Sequence, residues 1–171
     1  EHVDAVRRLL DRFEIPVELL SCGPQWSGDQ PTMIDQTRTI DTPGRIHNNC
    51  SGKHAGMLVL SRCLGHDPKG YAALTHPVQQ AILGTLEAMV GIDLMAHPHG
   101  LDGCGAPALS APLGNWARGF ALFAGGGALP AGRMAACTRI RQGIAAAPRM
   151  IAGDRQLCTA IGEAFGEQIT A

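Results

Sequence analysis

The stretch Asn48-Asn49-Cys50-Ser51-Gly52-Lys53-His54-Ala55-Gly56-Met57-Leu58-Val59-Leu60 decides how this chain is read. Five residues, Cys50 to His54, hold a thiol, a hydroxyl, an amine and an imidazole, and an apolar run follows directly. The spacing predicts a helix from about Gly52 to Leu64, ended by Gly65. Its apolar residues lie nearly all round, which predicts a buried central helix. Cys50 stands at its start, where free N–H groups and the helix dipole favour a thiolate. Lys53 is about one turn further on, so the two side chains can converge. A second cysteine has a similar setting, in Leu101-Asp102-Gly103-Cys104-Gly105.

Outward from this stretch, the chain reads as mainly helical. Val3, Val6, Leu10 and Phe13 share one helical face, stopped by Pro16. Val78, Ala81, Ile82, Leu86 and Met89 form another, with Pro77 near its start and Gly91 at its stop. Leu113, Trp116, Ala117, Phe120 and Ala124 follow Pro112 and end at Gly125. Met134, Cys137, Ile140 and Ile144 end before Pro148. Asp154 is the expected N-cap of a last helix carrying Leu157, Ala160, Ile161 and Ala164. Strands are expected only at Val17 to Leu20 and within Leu94 to Leu101. Residues 23 to 47 are rich in Pro, Gly, Thr and Asp and predict a long loop. Gly125-Gly126-Gly127 with Pro130 predicts a turn between helices. The fold class is therefore α+β with few strands.

Bulk properties exclude several functions. The 171 residues suit one domain, 1–171, able to bury roughly 70% of its unfolded surface without disulfide staples. A net charge of -1 offers no electrostatic footprint for nucleic acid. No apolar stretch is long enough to span a membrane, and the N-terminus has no signal-peptide pattern. The chain opens on Glu1, already in helical pattern and without Met, so a fragment is expected. The six cysteines are widely and irregularly spaced, unlike a disulfide framework. They point to a reducing, cytoplasmic setting in which paired thiols serve metal or catalysis. Cys63 and Cys137 fall on apolar helical faces and are expected to be buried.

Cys50, Cys104 and one nitrogen would supply three ligands to a tetrahedral zinc and leave the fourth position open. Two thiolates would also cancel the charge of the ion, and they suit zinc better than magnesium or calcium. The nitrogen is open at this level. Lys53 must first lose a proton, at roughly 4–5 kcal/mol from a reference pKa of about 10.4. A metal site worth about 10 kcal/mol can absorb that. His54, His97 and His99 offer imidazoles without that cost. The simpler alternatives are two unrelated buried thiols, a Lys53 paired with an acid, a core His54, strand-edge His97 and His99, and a turn aspartate at Asp102. Asp102 also fits a carboxylate that supports a metal ligand.

Two familiar motifs fail. A phosphate loop needs Gly where His47 stands and Ser or Thr where His54 stands. No serine has Lys three residues later. Cys50-x-x-Lys53 keeps that spacing with a thiol, so a cysteine amidase with Lys53 or His54 as base is a real alternative. A non-enzymatic zinc-binding helical module is another.

The run His47-Asn48-Asn49-Cys50-Ser51-Gly52-Lys53-His54-Ala55-Gly56-Met57 resembles the hallmark of the rhizobial-type L-asparaginases, a family unrelated to the better-known bacterial and plant asparaginases. Cys22-Gly23-Pro24-Gln25-Trp26, His76-Pro77-Val78-Gln79, Leu101-Asp102-Gly103-Cys104 and Ala152-Gly153 match in order, and the likeness fades after Gly153. The resemblance implies the mainly helical, central portion of a serine β-lactamase/glutaminase-like fold. It implies hydrolysis of L-asparagine to L-aspartate and ammonia, and a homodimer. It also implies zinc held by Cys50, Lys53 and Cys104, with Asp102 supporting the metal or facing the substrate. The family's Ser-x-x-Lys nucleophile and a further lysine belong to segments flanking this region. The chain alone is thus expected to be inactive, with Asp102, Ser51 and His54 the candidates nearest the reaction. Ser51 is then a helix-start residue and His54 a core or supporting group.

Overall fold

A computed structural model describes residues 1–166. The described residues form eight helices and one hairpin: α1 (His2–Arg12), α2 (Gln30–Thr39), α3 (Ser51–Cys63), α4 (Pro77–Val90), β1 (His99–Leu101), β2 (Pro107–Leu109), α5 (Leu113–Phe123), α6 (Ala131–Ala146), α7 (Arg149–Ala152) and α8 (Leu157–Phe165). Short 3-10 turns lie at Val17–Leu19, Arg45–His47 and Leu94–Ala96. The α+β, mainly helical class holds. The described residues pack as two compact units: Glu1–Thr85 with Leu94–Ser110, and Leu86–Asp93 with the described residues from Ala111 onward.

The first unit is built on α1 and α3. The Val6 and Leu10 side chains of α1 join Ala55 and Leu58 of α3 in one buried cluster with Ile15, Leu20, Cys22, Ile46, Tyr71, Cys104 and Ala106. α1 ends where its periodicity does. Ile15 N–H reaches Leu10 O at 3.0 Å and Glu14 N–H reaches Asp11 O at 3.1 Å. This is a Schellman ending, with Glu14 at φ 53 in the place glycine usually takes. The paired apolar contact of that motif is Leu10 with Ile15, and both are core residues.

α3 departs from the expectation of a helix buried all round. Ser51, His54, Ala55, Leu58 and Ser61 form its buried face, while Lys53, Gly56, Arg62 and Cys63 are exposed. Cys63 is therefore a surface thiol, against expectation, whereas Cys137 is buried as expected. The hairpin follows the register His99↔Leu109, Gly100↔Ala108 and Leu101↔Pro107. Its turn is closed by Asp102 N–H to Ala106 O and Gly105 N–H to Asp102 O, both 2.8 Å. Gly105 takes φ +83, a value that glycine adopts without a Cβ penalty.

In the second unit, side chains finish the helices that backbone leaves open. Asn115 Nδ2 donates to Val90 O at 3.1 Å, and the Arg118 guanidinium donates to Met89 O at 2.5 Å. Both carbonyls lie in the last turn of α4, which has no intrahelical donor for them. The Arg141 guanidinium serves Phe123 O at the end of α5 in the same way.

Several expected elements differ. Val17–Leu19 is a 3-10 turn where a strand was expected: only Leu20 of that run is fully buried, so no sheet face forms. Within Leu94 to Leu101 only His99–Leu101 is a strand, and its partner Pro107–Leu109 was not foreseen. The expected loop 23 to 47 contains α2, whose residues are largely exposed and carry little apolar signal. Asp29 caps it by accepting from Thr32 N–H at 3.1 Å, and a proline stands in its first turn. α8 starts after Gln156, not Asp154, and Leu157 is exposed; Asp154 pairs with Arg149 at 3.4 Å.

Candidate metal centre

The site begins with how α3 is started. Asn48 is buried and its side chain works in two directions. Its Oδ1 accepts from Cys50 N–H at 2.8 Å, satisfying a donor that the helix cannot. Its Nδ2 donates to Gly23 O at 2.7 Å and Gln25 Oε1 at 3.3 Å. Arg45 adds a second tie, donating to Leu20 O at 2.9 Å. The segment around Cys22 is thereby fastened beside the start of α3.

The β1–β2 turn supplies the other half. Asp102 is oriented by Gly103 N–H on its Oδ1 at 2.7 Å. Its Oδ2 accepts from Lys53 Nζ at 2.8 Å and from Cys104 Sγ at 3.1 Å. The donor atoms of Cys50, Asp102 and Cys104 all lie within 4.8 Å of one another. The three residues expected from sequence as ligands, Cys50, Lys53 and Cys104, thus meet at one place. Asp102 stands among them. His97 and His99 do not join this group among the described residues.

Charge at the site follows from these contacts. The ammonium of Lys53, then the Cys104 and Gly103 hydrogen bonds, pull the Asp102 carboxyl down to about 2. Burial works against the Lys53 ammonium, but its bonds to Asp102 and Cys104 outweigh it and raise its pKa. Burial, followed by the hydrogen bond with Cys104, pushes the Cys50 thiol up despite the nearby Lys53. This direction runs against the expectation that the helix start favours a thiolate at Cys50. Cys22 is also pushed up by burial, and it feels both Cys104 and Cys50.

His54 and Ser51 face elsewhere. Ser51 is buried in the first turn of α3. His54 is fully buried, edge-on to Tyr71, with Nδ1 at 2.5 Å from Tyr71 Oη. That phenol oxygen accepts from Ser21 N–H at 2.9 Å and Ser21 Oγ–H at 3.0 Å. His54 Nδ1 also lies 3.3 Å from Ser21 Oγ, so the imidazole, the phenol and the hydroxyl form one cluster. His54 Nε2 is buried with no protein partner among the described residues. Burial, then the Lys53 charge, lowers the His54 pKa, so the ring is neutral. A neutral His54 turned into the core fits the core or supporting group expected from sequence.

Sequence reasoning missed Asn48 and Tyr71. Tyr71 is the chain's single tyrosine, a signal that was available. Asn48 carried no such mark, because its partners lie 23 to 25 residues away.

A helix start and a hairpin turn bring together two thiols, an amine and a carboxylate in a mainly helical α+β protein, and Cys50, Asp102 and Cys104 among them could hold a metal ion. The L-asparaginase II family model matches residues 1–171, and the chain belongs to that family, the rhizobial-type asparaginases. The family is one of asparaginase-type amidohydrolases. No curated protein matches the chain.

Proposed function

We propose that this chain is the central part of a single domain that hydrolyses L-asparagine to L-aspartate and ammonia, with zinc held by Cys50, Lys53 and Cys104. The observation that carries the reading is the meeting of Lys53, Cys104 and Cys50 around the Asp102 carboxylate. The donors suit zinc in number and softness: two sulfurs offset its charge and a first-row nitrogen completes three ligands. Lys53 is paired with Asp102 and its pKa is raised, so Nζ would have to lose a proton to serve as a ligand. Asp102 would then support the amine by accepting from a remaining N–H, a role common around metal ligands. When bound, zinc supplies positive charge for holding or polarising an oxygen of the substrate.

Cys50, Lys53 and Asp102 leave no residue here in the role of an activated nucleophile. Ser51 is buried in a helix start, and no serine has Lys at the third position. On the resemblance to the rhizobial-type family, we assign the nucleophile to a Ser-x-x-Lys outside this chain. The purified 171-residue chain is expected to release little or no ammonia from asparagine. Thiol alkylation should show Cys50 and Cys104 protected by zinc and released by chelator. Ammonia release by the chain, abolished by Cys50→Ala, with no zinc on elemental analysis, would overturn the reading in favour of a cysteine amidase. Zinc protection with no asparaginase activity in the protein that carries both this chain and a Ser-x-x-Lys would favour a zinc-binding module.

A further inference from the structure

The site holds more sulfur than a metal requires. All six cysteines are free, and three of them, Cys22, Cys50 and Cys104, gather here. The Cys50 and Cys104 sulfurs lie within 4.8 Å of each other. A disulfide needs about 2.05 Å between sulfurs, so the pair must close by roughly 2–3 Å at most. The hairpin turn can supply that movement. Cys104 lies between Gly103 and Gly105, both of which face open space, and its thiol is held by the Asp102 bond at 3.1 Å.

Access to the three sulfurs is graded. Cys50 is half-buried, Cys104 is 6% exposed and Cys22 is 0% exposed. The Cys22 Sγ–H points at Arg45 O, 3.5 Å away. An oxidant arriving from solvent therefore meets Cys50 first, and Cys104 is the neighbour able to move onto it.

We propose that Cys50 and Cys104 are an oxidation site as well as a metal site: in the metal-free protein a hydroperoxide converts them into a disulfide that removes both sulfur ligands. The inference rests on the metal reading given above. In the first step the Cys50 thiol gives up its proton, its sulfur attacks the distal peroxide oxygen, the O–O bond breaks, and that proton ends on the alcohol or water released; the raised pKa of Cys50 makes this step slow at neutral pH. Cys50 becomes a sulfenic acid. In the second step Cys104 sulfur attacks Cys50 sulfur, the S–O bond breaks, and the hydroxyl leaves with the Cys104 proton as water. Two thiols and one hydroperoxide thus give one disulfide, one alcohol or water, and one further water. Metal and oxidant compete for the same two sulfurs, and the Lys53–Asp102 ion pair is left intact.

The test is peptide mapping by mass spectrometry after chelator-stripped protein is treated with one equivalent of hydrogen peroxide. The expected product has lost about 2 Da and joins the Cys50 and Cys104 peptides, reversibly with dithiothreitol. Zinc-loaded protein should form it about tenfold more slowly, because coordinated thiolates are shielded. In Cys104→Ser, dimedone should trap a sulfenic acid on Cys50. A Cys50–Cys22 link, an intermolecular link, or, in protein shown to bind zinc, equal rates with and without it would overturn the proposal. Zinc binding by the reduced protein with no Cys50–Cys104 link after peroxide would sink the oxidation inference alone. The link without any zinc binding would sink the metal reading alone.

Discussion

Asp102 is the residue on which the site's charge turns, and sequence offered it as a turn aspartate, a support for the metal or a carboxylate facing the substrate. Three donors of different kinds converge on its carboxylate: the Lys53 ammonium, the Cys104 thiol and Gly103 N–H. Together they pull its pKa from 3.8 to about 2. A carboxylate with a depressed folded pKa stabilises the fold above its unfolded value. That contribution is present at pH 4 and above, and is lost as pH falls from about 4 through about 2. In metal-free protein, the carbon resonance of the Asp102 carboxyl should titrate with a midpoint near 2, and Lys53→Met should move it toward the ordinary range. A midpoint near 4 in the native protein would mean that the Lys53 pair does not form in solution. Cys50 and Cys104 with one nitrogen were legible from their chemistry, while the choice of Lys53 over His54 came only from the resemblance to the rhizobial-type family. The tie to Asp102 was not, since Lys53 and Asp102 are 49 residues apart and hairpin register decides their meeting.

Helices were legible wherever periodicity and punctuation agreed. α1, α3, α4, α5 and α6 each pair a 3.6-residue apolar pattern with Pro or Gly near an end. α2 escaped because its residues are largely exposed, leaving only Asp29 and an early proline as signals. Val17–Leu19 misled because a short apolar run does not distinguish a strand from a turn packed on a core. Gly91 shows how a punctuating residue acts. It lies just past α4 at φ +80, and a Cβ there would stand 2.8 Å from an Arg118 guanidinium nitrogen. That same guanidinium holds Met89 O. Gly65, at φ +73, has open space around it. Gly65→Ala should therefore cost about 1 kcal/mol from backbone strain alone. Gly91→Ala should cost about 2–3 kcal/mol, because it also dislodges the Arg118 bond. Urea unfolding of both variants checks this. In an Arg118→Met background the extra cost of Gly91→Ala should vanish; equal costs for the two glycines in the native background would contradict the role given to Arg118.

At the scale of the whole molecule, the candidate ligands all belong to one of the two compact units. Cys50 and Lys53 come from the start of α3, and Cys104 and Asp102 from the β1–β2 turn, all within Glu1–Ser110. These two segments are joined in sequence through residues 64 to 98, so a metal bridging them would close a long loop. Ligand that binds only the folded state stabilises by about 2.7 kcal/mol at a hundredfold excess over Kd. For amides that exchange only when the first unit opens, that is about a hundredfold slowing of hydrogen exchange. Zinc at that excess should slow exchange in α3 and in the hairpin, while α6 and α8 of the second unit keep their rates. Lys53→Met should weaken the slowing, and Cys104→Ala should remove it. No change in α3 on adding zinc would sink the metal reading. Equal slowing in α6 would show that the two units open together, so that the effect of the metal is not confined to the unit that holds it.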